Sequence, residues 1–148
     1  MTRQRRPPWP LRDQDYDDDQ LLWQRKNGEE VVIHFATKGL TTAFLNDVKK
    51  GVESWDRSPC VQPRLTETCA PQTNCVTIGL KKTSSEGDDG NFDAIEKATL
   101  NVVKHEMGHA IGLRHCKTKG VLMHGDTNKV TEPDRIDYDN LLVLYGRQ

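Results

Sequence analysis

The stretch that decides the reading is Val102-Val103-Lys104-His105-Glu106-Met107-Gly108-His109-Ala110-Ile111-Gly112-Leu113-Arg114-His115, which carries the pattern H-E-x-x-H-x-x-G-x-x-H. His105 and His109 are four apart, so a helix stacks both imidazoles on one face, a turn apart. That separation suits two nitrogens holding one Zn²⁺ at about 2.0–2.1 Å. Glu106 follows the first histidine, and its carboxylate can sit beside such a metal without binding it. A water activated there needs a proton acceptor, and Glu106 is placed to be one. Gly112 stands where the helix should stop, because glycine takes the left-handed conformation that turns the chain. The turn would return His115 as a third ligand, leaving a fourth position for water, as in catalytic rather than structural zinc sites.

A bare H-E-x-x-H arises by chance on amphipathic helices; the added glycine and third histidine make coincidence a poor account. Three of the five histidines of the chain fall in this stretch. The extended pattern is the signature of the metzincin clan of zinc endopeptidases, and the chain resembles that clan. Further residues carry the resemblance. Met123, in Leu122-Met123-His124-Gly125, matches the methionine whose tight turn forms an apolar floor under the ligands. The closing block 131–146 begins Asp-rich and ends Leu144-Tyr145-Gly146, like the last helix of matrixin catalytic domains.

The resemblance spans residues 21–148 and is nearest to matrixins and the small secreted bacterial enzymes of the snapalysin kind. It implies an α+β zincin domain: a twisted mixed sheet with an edge strand for substrate, a long backing helix, the active-site helix, the methionine turn and a C-terminal helix. It also implies a zinc metalloendopeptidase, with His105, His109 and His115 as metal ligands, Glu106 as general base and Met123 in the turn. Several departures are visible. Snapalysin-type enzymes use Asp as third ligand, where this chain has His115. The histidines of the matrixin structural zinc are not evident, so one zinc is expected. Archaemetzincins share the Gly-x-x-His-Cys start after the helix but have further cysteines, the first of them where Val121 stands. Astacin-like enzymes place a Tyr ligand two residues after the turn methionine, where this chain has Gly125. No Cys precedes Cys60, so the matrixin cysteine switch is missing.

At 148 residues the chain is the size of one domain. With 34% hydrophobic residues and a mean hydropathy of −0.75, it is polar but able to form a core. A formal net charge of −1 gives no pull toward nucleic acid or an acidic membrane. No apolar run approaches the ~20 residues of a spanning helix. The expected partner is a protein or peptide substrate, met by a monomer. Residues 1–20 read as a tail, Arg- and Pro-rich to Arg12 and then nearly all acidic from Asp13 to Asp19. A solvated segment is the plain reading of it, and a pro-segment remnant whose Asp covers the zinc is the functional one.

Four cysteines, Cys60, Cys69, Cys75 and Cys116, suggest two disulfides and therefore export, although the basic start has no apolar run behind it as a signal would. Sequence leaves three pairings open; one bridge within 60–75 and one from Cys116 to the remaining cysteine is the expected arrangement.

Asn27-Gly28 signals a turn. Strands are expected at Val31–Ala36, internal to a sheet, at Val61–Leu65, and at Cys75–Leu80 with Val76, Ile78 and Leu80 inward. His34 on the first strand reads as a core or cross-strand residue. A helix is expected over Thr41–Ser58, with Leu40, Phe44, Val48, Val52 and Trp55 at helical spacing. Residues 84–93 read as a polar loop whose Asp88, Asp89 and Asp93 could hold Ca²⁺, although without EF-hand spacing. The active-site helix should begin near Glu96–Thr99 and bury Leu100, Val103, Met107, Ala110 and Ile111. The last helix should be capped by Thr131, with Tyr138, Leu141, Leu142 and Tyr145 as its apolar stripe. Two other functions compete: a narrow-specificity effector protease, for which four free thiols would speak, and a binding protein on a catalytically retired metzincin scaffold, against which Glu106 and the complete histidine set argue.

Overall fold

The computed structural model describes residues 22–25, 30–81, 92–95, 100–126 and 129–146. The tail 1–20, the Asn27-Gly28 turn and the acidic loop with Asp88 and Asp89 lie outside them, as does the side chain of Asp93. In chain order the elements are β1 (Val31–Ala36), α1 (Thr42–Trp55), β2 (Val61–Thr66), β3 (Cys75–Lys81), β4 (Phe92–Ile95), α2 (Leu100–Ile111) and α3 (Arg135–Tyr145).

β1 is internal, as its unbroken apolar run leads one to expect: the sheet order is β2-β1-β3-β4. Val31, Ile33 and Phe35 are buried and alternate with half-buried Val32 and His34. His34 pairs in register with Arg64 and Cys75 and lies 3.3 Å from the Asn74 carbonyl through Nδ1, so it is the cross-strand residue expected. A mixed sheet was expected, but every pairing among the described strands is parallel. β1 and β2 are joined across α1, a connection long enough to return the chain to the same end of the sheet. β3 divides its length, pairing with β1 from Cys75 to Thr77 and with β4 from Ile78 onward. β4 replaces the end of the expected polar loop; at four residues with an Asp in it, its own pattern is too short to announce a strand.

α1 begins where Thr41 accepts the amide of Phe44 at 3.3 Å. It buries Phe44, Val48, Gly51, Ser54 and Trp55, with Leu40 and Val52 packed partly buried against the same core. α2 crosses α1 closely. A Cβ built on Gly51 would lie 2.3 Å from the Met107 sulfur, and one on Gly108 would lie 2.8 Å from Trp55 Cζ2. Trp55 Nε1 also donates to the Lys104 carbonyl at 3.0 Å.

α3 starts three residues later than the Thr131 reading predicts. Asp134 is the cap, accepting the amides of Ile136 and Asp137, while the Asp137 carboxylate returns to the Asp134 amide at 3.1 Å. Its buried face is Asp137, Asn140, Leu141, Leu144 and Tyr145. Leu142, expected inside, is 43% exposed. One disulfide is formed, Cys69–Cys75, within the expected segment. The second bridge is not: Cys60 and Cys116 remain buried thiols, one heading β2 and the other beside His124 in the segment after α2.

Candidate metal centre

The four C-terminal carbonyls of a helix have no partner within it, and at the end of α2 each is met by a named donor. Gly112 has φ +124, which lets its amide reach the His109 carbonyl and the Leu113 amide reach that of Gly108, both at 3.0 Å. This is the Schellman pattern. The Ala110 carbonyl accepts from Trp23 Nε1 at 2.6 Å and the Ile111 carbonyl from the Tyr145 hydroxyl. Burial pushes the Tyr145 phenol far up, so it stays a donor. The helix end that swings the chain toward His115 is therefore fully satisfied.

The turn brings three imidazoles together. Ring centroids are 4.7 Å apart for His105 and His109, 4.8 Å for His109 and His115, and 5.4 Å for His105 and His115. One ligand atom from each lies within 4.8 Å of the others. No other such cluster of His, Cys, Asp or Glu occurs among the described residues. Two of the rings are fixed from behind. His105 Nδ1 donates to the Leu122 carbonyl at 2.7 Å, and His109 Nδ1 donates to the Leu113 carbonyl at 2.8 Å. A carbonyl can only accept, so the proton is on Nδ1 and the lone pair is left on Nε2, the arrangement of a metal-binding histidine. Burial pushes His105 down and His109 down to about 4, so His109 is neutral at pH 7, as a ligand must be. The donor set fits one Zn²⁺. Glu106 is half-buried on the turn of α2 between the first two histidines.

Below the histidines, Val121, Leu122 and Met123 are buried in a turn closed by His124 N to the Val121 carbonyl at 3.2 Å. A Cβ built on Gly108 would lie 2.4 Å from the Met123 sulfur; only glycine there lets the sulfur lie against the ligand-bearing helix. Gly125 has a like role toward the third histidine, since its Cβ would meet the His115 ring at 3.1 Å. The turn is tied to α3 by Asp137, whose buried carboxylate accepts the Met123 amide at 3.4 Å. Burial pushes that carboxyl up to about 6.

The sequence reading missed Asp137, Gly108 and Lys104. Lys104 has a legible signal: it falls on the apolar stripe of α2 between Val103 and Met107 and is buried with them, whereas Leu100 and Ala110, expected inside, are half-buried.

No family model matches the sequence, and no curated protein matches it. Among solved structures, the chain is similar to high choriolytic enzyme 1, a hatching-enzyme zinc-protease from the medaka fish Oryzias latipes. The TM-score is 0.65 at 12% sequence identity, over 92% of this chain and 100% of that one. At that identity the likeness is one of fold. This chain thus has the α+β fold of that zinc-protease, and in it His105, His109 and His115 come together.

Proposed function

We propose that the protein is a zinc-dependent metalloendopeptidase that hydrolyses internal peptide bonds of proteins. The observation that carries this is the convergence of His105, His109 and His115, with two rings locked by backbone carbonyls so that Nε2 faces inward. These three hold the metal. When bound, Zn²⁺ supplies Lewis-acid polarisation of the scissile carbonyl and lowers the pKa of water toward ~7. Glu106 takes the proton of the attacking water and passes it to the leaving amine. Met123 forms the floor beneath the histidines. The substrate main chain adds to β4, the last strand in the sheet order, as an extra strand.

The Cys69–Cys75 bridge supports action outside the cell. No described helix is long and apolar enough to cross a membrane.

Zinc stoichiometry and casein cleavage, compared between wild type and Glu106→Ala, test the proposal. One zinc in both with cleavage only in wild type is the expected result. A folded wild type without zinc refutes it.

A further inference from the structure

Residues 22–25 have no regular secondary structure, yet three parts of the fold hold them as a strap. The Gln24 carbonyl accepts from Asn74 Nδ2 at 2.7 Å, and the same amide group donates to the Val32 carbonyl at 3.0 Å, which ties the strap to β1. Arg25 donates to the carbonyl of Tyr145 at the end of α3. Ahead of these anchors, Trp23 reaches α2. Its Nε1 donates to the Ala110 carbonyl at 2.6 Å. Its backbone amide donates at 3.4 Å to the Tyr145 hydroxyl, itself the donor to the Ile111 carbonyl. Leu22 is buried, with its Cδ2 3.4 Å from a Cβ built on Gly112.

These contacts fall on the link between the second histidine and the third. His105 and His109 ride on α2, with rings fixed by the Leu122 and Leu113 carbonyls. His115 differs: it lies beyond the helix and is the exposed one of the three. Where it comes to rest depends on the direction in which the chain leaves α2. A donor on a carbonyl fixes the rigid peptide plane that carries it. Trp23 fixes the plane after Ala110, Tyr145 the plane after Ile111, and Leu22 covers Gly112. The indole donates to backbone, so any effect it has on a bound metal runs through the chain.

We infer that Trp23 is a positioning residue for the metal centre: as the latch of the 22–25 strap, it holds the end of α2 in the direction that delivers His115 to His105 and His109. The inference rests on the zinc reading of the three histidines. Coupling of this kind is reciprocal: a latch that favours zinc binding is itself favoured by zinc, by the same factor.

The test uses the full chain. Trp23→Phe keeps an aromatic ring and removes the indole N–H. Val61→Ala is the control: Val61 is fully buried on β2, at the sheet edge opposite β4, so its loss lowers stability through a cavity remote from the strap. Zinc affinity is read by chelator competition without denaturant, where each variant is folded. Trp23→Phe should weaken it about 3–10-fold, the worth of one hydrogen bond, and Val61→Ala should leave it unchanged. In wild type, hydrogen exchange of the indole N–H groups is followed by NMR, the Trp23 signal being the one lost in Trp23→Phe. Zinc should slow that exchange by the same factor of about 3–10. A folded Trp23→Phe with wild-type zinc affinity overturns this inference and leaves the zinc reading standing. An equal loss in Val61→Ala overturns it too, because the effect is then general destabilisation. So does indole exchange that zinc does not alter; this measurement needs only wild type, using the downfield indole signals together, and decides alone if Trp23→Phe does not fold. A folded wild type that takes up no zinc ends the zinc reading, and this inference with it.

Discussion

Gly112→Ala is the substitution for which the structure gives both sign and size. At φ +124 an L side chain is strained, and a Cβ would lie 2.8 Å from the Tyr145 hydroxyl and 3.4 Å from Leu22 Cδ2. Backbone strain of this kind costs about 1–3 kcal/mol. The phenol cannot swing away cheaply, because Tyr145 is buried and its hydroxyl caps the Ile111 carbonyl; overpacking adds about 1–3 kcal/mol. The stiffer unfolded chain returns about 0.4–1 kcal/mol. The net loss is about 1–6 kcal/mol. Gly39 at φ +86 and Gly120 at φ +81 have nothing within 4 Å of a built Cβ, so Gly39→Ala and Gly120→Ala report strain alone, about 0–2 kcal/mol after the same offset. Urea titration of the metal-free proteins measures all three, with an unchanged m-value as the check on two-state behaviour. A chelator competition then reads zinc affinity, which should fall about 10–100-fold in Gly112→Ala alone, since that residue steers the chain to His115. A Gly112→Ala protein that loses no more stability than the two control variants would refute the argument.

Asp137 gives a pH dependence. Its folded-state pKa is raised from 3.8 to about 6, so the folded protein keeps a proton that the unfolded chain releases. Its contribution is fully present below about pH 4 and is lost as pH rises through 6. The total is about 3 kcal/mol. The stability of wild type minus that of Asp137→Asn should decline by that order between pH 4 and 7; a constant difference would show that burial does not perturb this carboxyl. The Cys69–Cys75 bridge closes a short loop, with a sequence separation of 6. Replacing both cysteines by Ser should cost about 2 kcal/mol in denaturant titration and leave zinc content unchanged. Loss of zinc in that variant would mean the loop supports the histidines after all.

The local parts of the candidate site were legible because they depend on helix geometry. Spacing of four places His105 and His109 together, and only glycine tolerates the backbone at 112. Apolar periodicity likewise located β1, α1, α2 and the core residues Phe44, Val48, Trp55 and Met107. Where a second element competes for a position, periodicity misleads. Lys104 is buried with Glu132 as its partner, and Leu142 is exposed because α3 packs through Leu141, Leu144 and Tyr145 instead. The four-residue β4 carries no pattern of its own and exists through pairing with β3.

The sequence by itself determined the cluster of three histidines, since one helix and one glycine turn bring them together over eleven residues. Only the tertiary structure decided how the rings are oriented and how the helix end is satisfied. His105 is fixed by a carbonyl 17 positions away, and the Ala110 carbonyl by an indole 87 positions away. Such partners are set by how the elements pack, and no local spacing in the chain encodes them.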